Sequence, residues 1–263
     1  MELRGARVLL TGASGGIGQA LALELAARGG EMVLTGRRTE VLEPLADKVG
    51  GRALAADLNS RRDIEAMLAA AGEIDIVVAN AALSATGLLD DYSLDEIDRA
   101  LDVNLRAPIL MAKLATDRMA ARGRGHLVFI SSLAGKTASA QSSLYNATKF
   151  GMRGFALALR EDMRPHGVGV SALYPGYIRD AGLFADSGAT LPRGVGTRSP
   201  QDVARACVRA IERDRGEVVV APWNLRVIAA LGGLAPGLVA AVQRRLGADT
   251  TTAQLAAAHR HRR

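Results

Sequence analysis

From Arg7 to Ala221, short apolar runs alternate with stretches of helical spacing, and this alternation restricts the fold more than any other feature of the chain. The runs are Arg7–Thr11, Glu31–Gly36, Ala53–Ala56, Asp75–Ala79, Leu127–Ile130, Gly169–Tyr174 and Glu217–Ala221. Each is long enough for a buried strand and too short for a helix. Strands joined through helices run parallel, and the right-handed crossover is the one that packs back onto the sheet. The expectation is an α/β fold, a doubly wound sheet of about seven parallel strands flanked by helices. A length of 263 residues suits one such domain over residues 1–222. Hydrophobic residues make up 49% of the chain but aromatics only 3%, so the core must be built mainly from Ala, Leu and Val.

The turn after the first run reads TGASGGIG, Thr11 to Gly18, and a helical pattern follows from Ile17 to about Arg28. Glycines let the backbone approach a pyrophosphate closely, and a helix N-terminus offers it free N–H groups. The spacing of Gly12, Gly16 and Gly18 would equally serve a plain turn and cap. The second run ends at Gly36 and is followed by Arg37 and Arg38. An acid near this point would bind a ribose 2′-hydroxyl, whereas two guanidinium groups suit a 2′-phosphate. NADP(H) is therefore expected over NAD(H), the alternative being two solvated arginines that open a helix. Asp57 follows the third run, where it suits hydrogen bonding near an adenine ring, and Asn59 or Ser60 can cap the next helix.

The fifth run leads into SSLAGKTASAQSSLYNATK, Ser131 to Lys149. Tyr145 and Lys149 are four apart and share a helix face. An ammonium beside a phenol favours the phenolate, so Lys149 is expected to draw the Tyr145 pKa down towards the range of a working acid or base. Ser132, at the end of the preceding strand, can place its hydroxyl over the same site. An amphipathic helix with an interfacial Tyr and an exposed Lys would leave the same pattern. Asn104 lies mid-helix between about Ser93 and Met119, where it would ordinarily be satisfied locally. Pro108 should loosen that helix and free carbonyls near residue 104.

The net charge of +6 attracts phosphates in general, but no block mixes aromatic and basic residues, so nucleic acid is not expected as a partner. Cys207, the single cysteine, excludes an internal disulfide and reads as buried filler. His126 and His166 have no partners at ligand spacing, and no metal site is expected. Residues 180–198 lack periodicity and suit either a flap over a cavity or a surface loop. Ser199 and Pro200 suit the N-cap and first position of the helix that follows. From Trp223 the composition changes. Val227–Val242 is apolar but broken by Gly232, Gly233, Pro236 and Gly237, and it is too short to span a bilayer. Residues 223–263 read as a C-terminal helical extension with a basic tail, His259–Arg263. Three fates stay open for it: covering a substrate pocket, packing in a dimer, or lying on a membrane surface through residues 223–246. The N-terminus enters a strand pattern at once, so a cytoplasmic location, with or without peripheral membrane contact, is the expectation.

Taken together, the motifs over about residues 5–221 resemble the short-chain dehydrogenase/reductase family, with its Rossmann-like fold. The resemblance implies cofactor contacts at Gly12, Ser14, Gly16, Ile17 and Gly18, at Arg37, Arg38 and Asp57, and at Asn80, which begins an Asn-Ala-Ala turn with Ala82 where Gly is usual. It likewise implies a catalytic set of Asn104, Ser132, Tyr145 and Lys149, and the thirteen-residue step from Ser132 to Tyr145 selects Ser132 over Ser131. Tyr145 would pass a proton to or from the substrate oxygen, and Lys149 would also hold the nicotinamide ribose. Ser132 would bond the substrate oxygen, and Asn104 would hold a water linking Lys149 to solvent. Pro175, Gly176 and Ile178 match a motif beside the nicotinamide; two positions later, where Thr is frequent, stands Asp180. The implied activity is interconversion of a ketone or aldehyde with an alcohol, acting on a small molecule as a homodimer or homotetramer. A non-catalytic dinucleotide sensor on the same fold, or a membrane-associated reductase of lipid-like ketones, are the competing readings.

Overall fold

The computed structural model describes residues 1–192, 194–232, 235, 239 and 248–259. Seven strands form one sheet: β1 (Arg7–Thr11), β2 (Glu31–Gly36), β3 (Arg52–Ala55), β4 (Ile76–Ala79), β5 (Gly125–Ile130), β6 (Val168–Pro175) and β7 (Glu217–Val220). All pairings are parallel, in the order β3-β2-β1-β4-β5-β6-β7. The chain steps outward from β1 to β3 and then returns to lay β4 on the other side of β1. That reversal opens a crevice beyond the carboxyl ends of the strands, where such sheets take their ligands.

Successive strand residues point to opposite faces, and each face is covered by helices. Val8, Leu10, Leu34 and Val78 pack under α1 (Gly16–Ala27), α2 (Thr39–Lys48) and α7 (Pro200–Glu212). Leu9, Val77, Leu127 and Phe129 pack under α3 (Arg61–Ala71), α5 (Ala107–Arg122) and α6 (Ser143–Met163). Cys207 is fully buried in the first layer, and burial pushes its thiol up to about 12. Two helix starts are capped as the sequence suggests: Ser60 accepts from the Asp63 amide, and Ser199 forms a reciprocal capping box with Asp202.

The long fourth helical stretch is divided. Helix α4 (Leu94–Leu101) passes into a π turn at Asp102–Arg106 and then into α5. Pro108 lacks the N–H that the carbonyl of residue 104 would accept in an α-helix, which explains the loosening at that point. After β6, the described residues of 179–197 form a flap whose first part lines the cavity at the strand ends. Its base is closed by a parallel bridge between Ile178 and Arg198. The Arg179 amide donates to the Arg198 carbonyl at 2.9 Å, and the Arg198 amide donates to the Tyr177 carbonyl at 3.0 Å. Among the described residues, two further helices, α8 (Trp223–Gly232) and α9 (Ala248–His259), follow the sheet. Half of the broken apolar segment, with Arg244 and Arg245, and residues 260–263 of the basic tail lie outside the described residues.

Candidate active site

A cavity of about 800 Å³ opens at the carboxyl ends of the strands, and every strand from β1 to β6 sends residues into it from its end. At one end lies the glycine turn. Gly12 adopts φ +65° with the Ala81 backbone against it, and a side chain on Gly18 would collide with the Gly12 carbonyl, so neither position admits a Cβ. No side chain caps α1 and its first turn carries no acid, which leaves the helix start suited to an anion. The Asn80 side-chain amide donates to the Thr11 and Gly12 carbonyls at 3.1 Å each. The Thr11 hydroxyl accepts from the amides of Asn80 and Ala81, which ties β1 to β4 at the crevice.

Arg37, Arg38 and Asp57 line the same end. The Arg38 guanidinium donates to the Ser14 carbonyl at 2.8 Å, which holds one cation over the glycine turn. One Asp57 carboxylate oxygen accepts from the Asn59 amide at 3.0 Å. No acid stands at the end of β2, which closes with Gly36. An approach without Cβ atoms, an uncapped helix start and two arginines together fit a nicotinamide dinucleotide.

Ser132, Tyr145 and Lys149 line the same cavity. The fully formed α6 brings the phenol and the amine onto one face, with the Lys149 Nζ 5.5 Å from the Tyr145 ring centroid. Lys149 is 3% exposed, and its Nζ lies 3.4 Å from the Ile130 carbonyl. Its electrostatics differ from the expectation. Burial pushes Lys149 down to about 8 and pushes the Tyr145 phenol up from its ordinary value. Ser132, close to the phenol, opposes that rise without reversing it. Desolvation of the phenolate is the largest effect at this site.

Asn104 belongs to the π turn but its side chain faces elsewhere. Its Oδ1 accepts from the Leu83 amide at 2.7 Å and its Nδ2 donates to the Leu83 carbonyl at 3.0 Å. Any water held by Asn104 would therefore have to use its backbone carbonyl. Pro175, Gly176 and Ile178 line the cavity at the end of β6. Asp180 adopts φ +69°, and its carboxylate lies 3.4 Å from the Arg179 guanidinium, which offsets the added negative charge. Beyond it, Ala181 packs on Gly16 and Gly182 on Ile17, so the flap rests on the glycine turn.

Two contributors were not legible in the sequence. Asn146, beside Tyr145, is buried and donates to the Ala134 carbonyl at 2.7 Å and the Thr137 carbonyl at 2.9 Å. Its Oδ1 accepts from the Ser139 amide, so one side chain fastens the Ser132 loop to α6. Leu225, Ile228 and Ala229 of α8 and Leu255 of α9 form an apolar wall of the cavity. Helix α9 also holds the flap: the Thr251 hydroxyl donates to the Thr190 carbonyl at 2.9 Å, and the Thr190 amide donates to Gln254 at 2.8 Å. The described helices of the C-terminal segment thus line this cavity.

The chain matches the family model for short chain dehydrogenase over residues 6–191. It is 33% identical over 259 residues to a ketoacyl reductase, HetN, of Nostoc sp. (strain PCC 7120 / SAG 25.82 / UTEX 2576), covering 93% of this chain and 90% of that one. Among solved structures, a short-chain dehydrogenase from Sphingobium yanoikuyae in complex with NADPH superposes with a TM-score of 0.78 at 28% identity, covering 89% of this chain and 94% of that one. A 3-ketoacyl-(acyl-carrier-protein) reductase from Brucella melitensis complexed with NADH gives a TM-score of 0.73 at 25% identity, covering 83% and 97%. The chain belongs to the short-chain dehydrogenase/reductase family, oxidoreductases that use a nicotinamide dinucleotide.

Proposed function

We propose that this protein is an NADP(H)-preferring reductase of a ketone or aldehyde, with Tyr145 as the acid. The observation that carries the reading is the convergence of Ser132, Tyr145 and Lys149 on the cavity that also holds the glycine turn. A bound nicotinamide dinucleotide supplies the hydride. Ser132 hydrogen-bonds the substrate oxygen where negative charge develops. Tyr145, its pKa raised by burial, keeps its proton until that oxygen becomes basic enough to take it, which favours the reducing direction. Lys149 orients the phenol and, with a pKa of about 8, exchanges protons near neutral pH. Asn104 positions the Leu83 segment through its two backbone hydrogen bonds. Gly12, Ser14, Gly16, Ile17 and Gly18 receive the pyrophosphate, Asp57 the adenine and Asn80 the turn beside it.

The preference for the phosphorylated cofactor rests on Arg37 and Arg38 after an acid-free end of β2. Relatives support either cofactor, since one solved neighbour holds NADPH and another NADH. The apolar wall from α8 and α9 favours a bulky, greasy carbonyl compound.

Following NADPH absorbance against a panel of ketones and aldehydes tests the activity. Tyr145→Phe should lose turnover by about a hundredfold or more while retaining NADPH affinity, and an active variant would remove Tyr145 as the acid. Arg37→Ala should raise the KM for NADPH far more than that for NADH. Equal effects on both would end the cofactor argument.

A further inference from the structure

Helix α8 is apolar on two opposite sides. Leu225, Ile228 and Ala229 turn inward to the cavity. Trp223, Val227 and Leu231, spaced four apart, form a stripe on the other side and are 77%, 50% and 44% exposed. Large apolar side chains so exposed and in a row mark a contact surface, since scattered single ones need no explanation but a stripe does. The one charged residue of the helix, Arg226, is positive. Between Val218 and Ala248 the sequence contains Arg226, Arg244 and Arg245 and no acidic residue, within a chain of net charge +6. Arg226 is exposed on α8 itself.

We propose that the outer face of α8 docks on an anionic lipid surface, with Trp223, Val227 and Leu231 entering the headgroup boundary and Arg226 meeting lipid phosphates. An apolar stripe supplies insertion energy, arginine supplies attraction to anionic headgroups, and an indole at the edge of the stripe suits the interface between water and acyl chains. A protein partner with an acidic rim would match the charge. It would not account for a helix whose reverse side walls the substrate cavity, whereas a lipid surface places greasy carbonyl compounds beside that wall. No described helix is long and apolar enough to cross a membrane, so the contact is one of surface.

Trp223 is the only tryptophan of the chain, which makes its emission a direct reporter of the stripe. Full-length protein should float with phosphatidylcholine vesicles containing phosphatidylglycerol, less so with phosphatidylcholine alone. Its emission should shift to the blue and be quenched by brominated acyl chains. The double variant Val227→Ser, Leu231→Ser keeps the reporter and should bind vesicles at least about tenfold more weakly, with turnover of a water-soluble ketone unchanged. Arg226→Glu, on the solvent side of the helix, should abolish the preference for anionic lipid and covers the case in which the double variant does not fold. Absence of flotation, or a blue shift that needs no lipid and grows with protein concentration, would overturn the proposal, the second outcome assigning the stripe to a second copy of the chain. Because flotation, emission and quenching do not depend on NADPH oxidation, failure in them leaves the redox reading standing.

Discussion

Lys149 is held as a poor cation by its own burial. Its amine falls to about 8 in the folded protein, against about 10.5 when unfolded. Between those values the unfolded chain binds more protons than the folded one, so this residue makes stability rise with pH from about 8 to about 10.5. Below about 8 both states carry the charge and the full penalty for burying it applies, on the order of 3 kcal/mol. Lys149→Met, measured without cofactor, should therefore raise the thermal midpoint at pH 7 and flatten its alkaline rise, while abolishing turnover. Melting curves at a series of pH values check both points. Asn146 acts differently, through the Ser132 loop that it fastens. Asn146→Ala should lower kcat by about tenfold to a hundredfold by letting that loop drift, with NADPH affinity little changed. If KM for NADPH moved and kcat did not, the residue would be serving the cofactor instead.

At the scale of elements, the strands were readable because each is a short, largely apolar run bounded by Gly, Asp or a cap, and the observed ends fall close to those expected; the edge strands β3 and β7 are only partly buried. A loosening before α5 was readable from one missing N–H at Pro108, though its form as a π turn was not. The direction of the Tyr145 pKa was not, because spacing on a helix gives neighbours and says nothing of how much water the fold removes. Asn146 escaped notice since its partners lie in a loop without a period. The position of α8 was hidden for another reason: a helix with apolar residues on opposite sides does not announce which side meets the protein. Helix α9 restrains the flap through Thr251 and Gln254. Gln254→Ala should therefore speed limited proteolysis within residues 179–197 at least severalfold, with strands and helices elsewhere cut no faster.

The whole molecule divides its duties between the two ends of the sheet. The carboxyl ends carry the residues that face the cavity. The amino ends carry a polar belt: Asp75 accepts from the Arg7 amide and lies 3.2 Å from the Arg124 guanidinium, while Arg122 donates to the Ile74 carbonyl at 2.7 Å. His126, near the start of β5, lies 2.8 Å from the Ser171 hydroxyl. Burial, against the opposing pull of Asp214, drops it to about 4. The unfolded chain then takes up a proton on His126 below about 6.5 that the folded chain refuses until about 4, so stability is lost as pH falls through that window. His126→Gln, which can keep the bond to Ser171, should flatten the acid limb of a melting-temperature profile and leave kcat and KM unaltered. An unchanged acid limb would exonerate the histidine. Since rim and belt sit a strand's length apart, changes in one barely register in the other. A lineage built on this sheet can exchange one substrate for another by rewriting its upper loops while the lower edge serves as ballast, so chemical novelty and endurance to heat are inherited as separate traits.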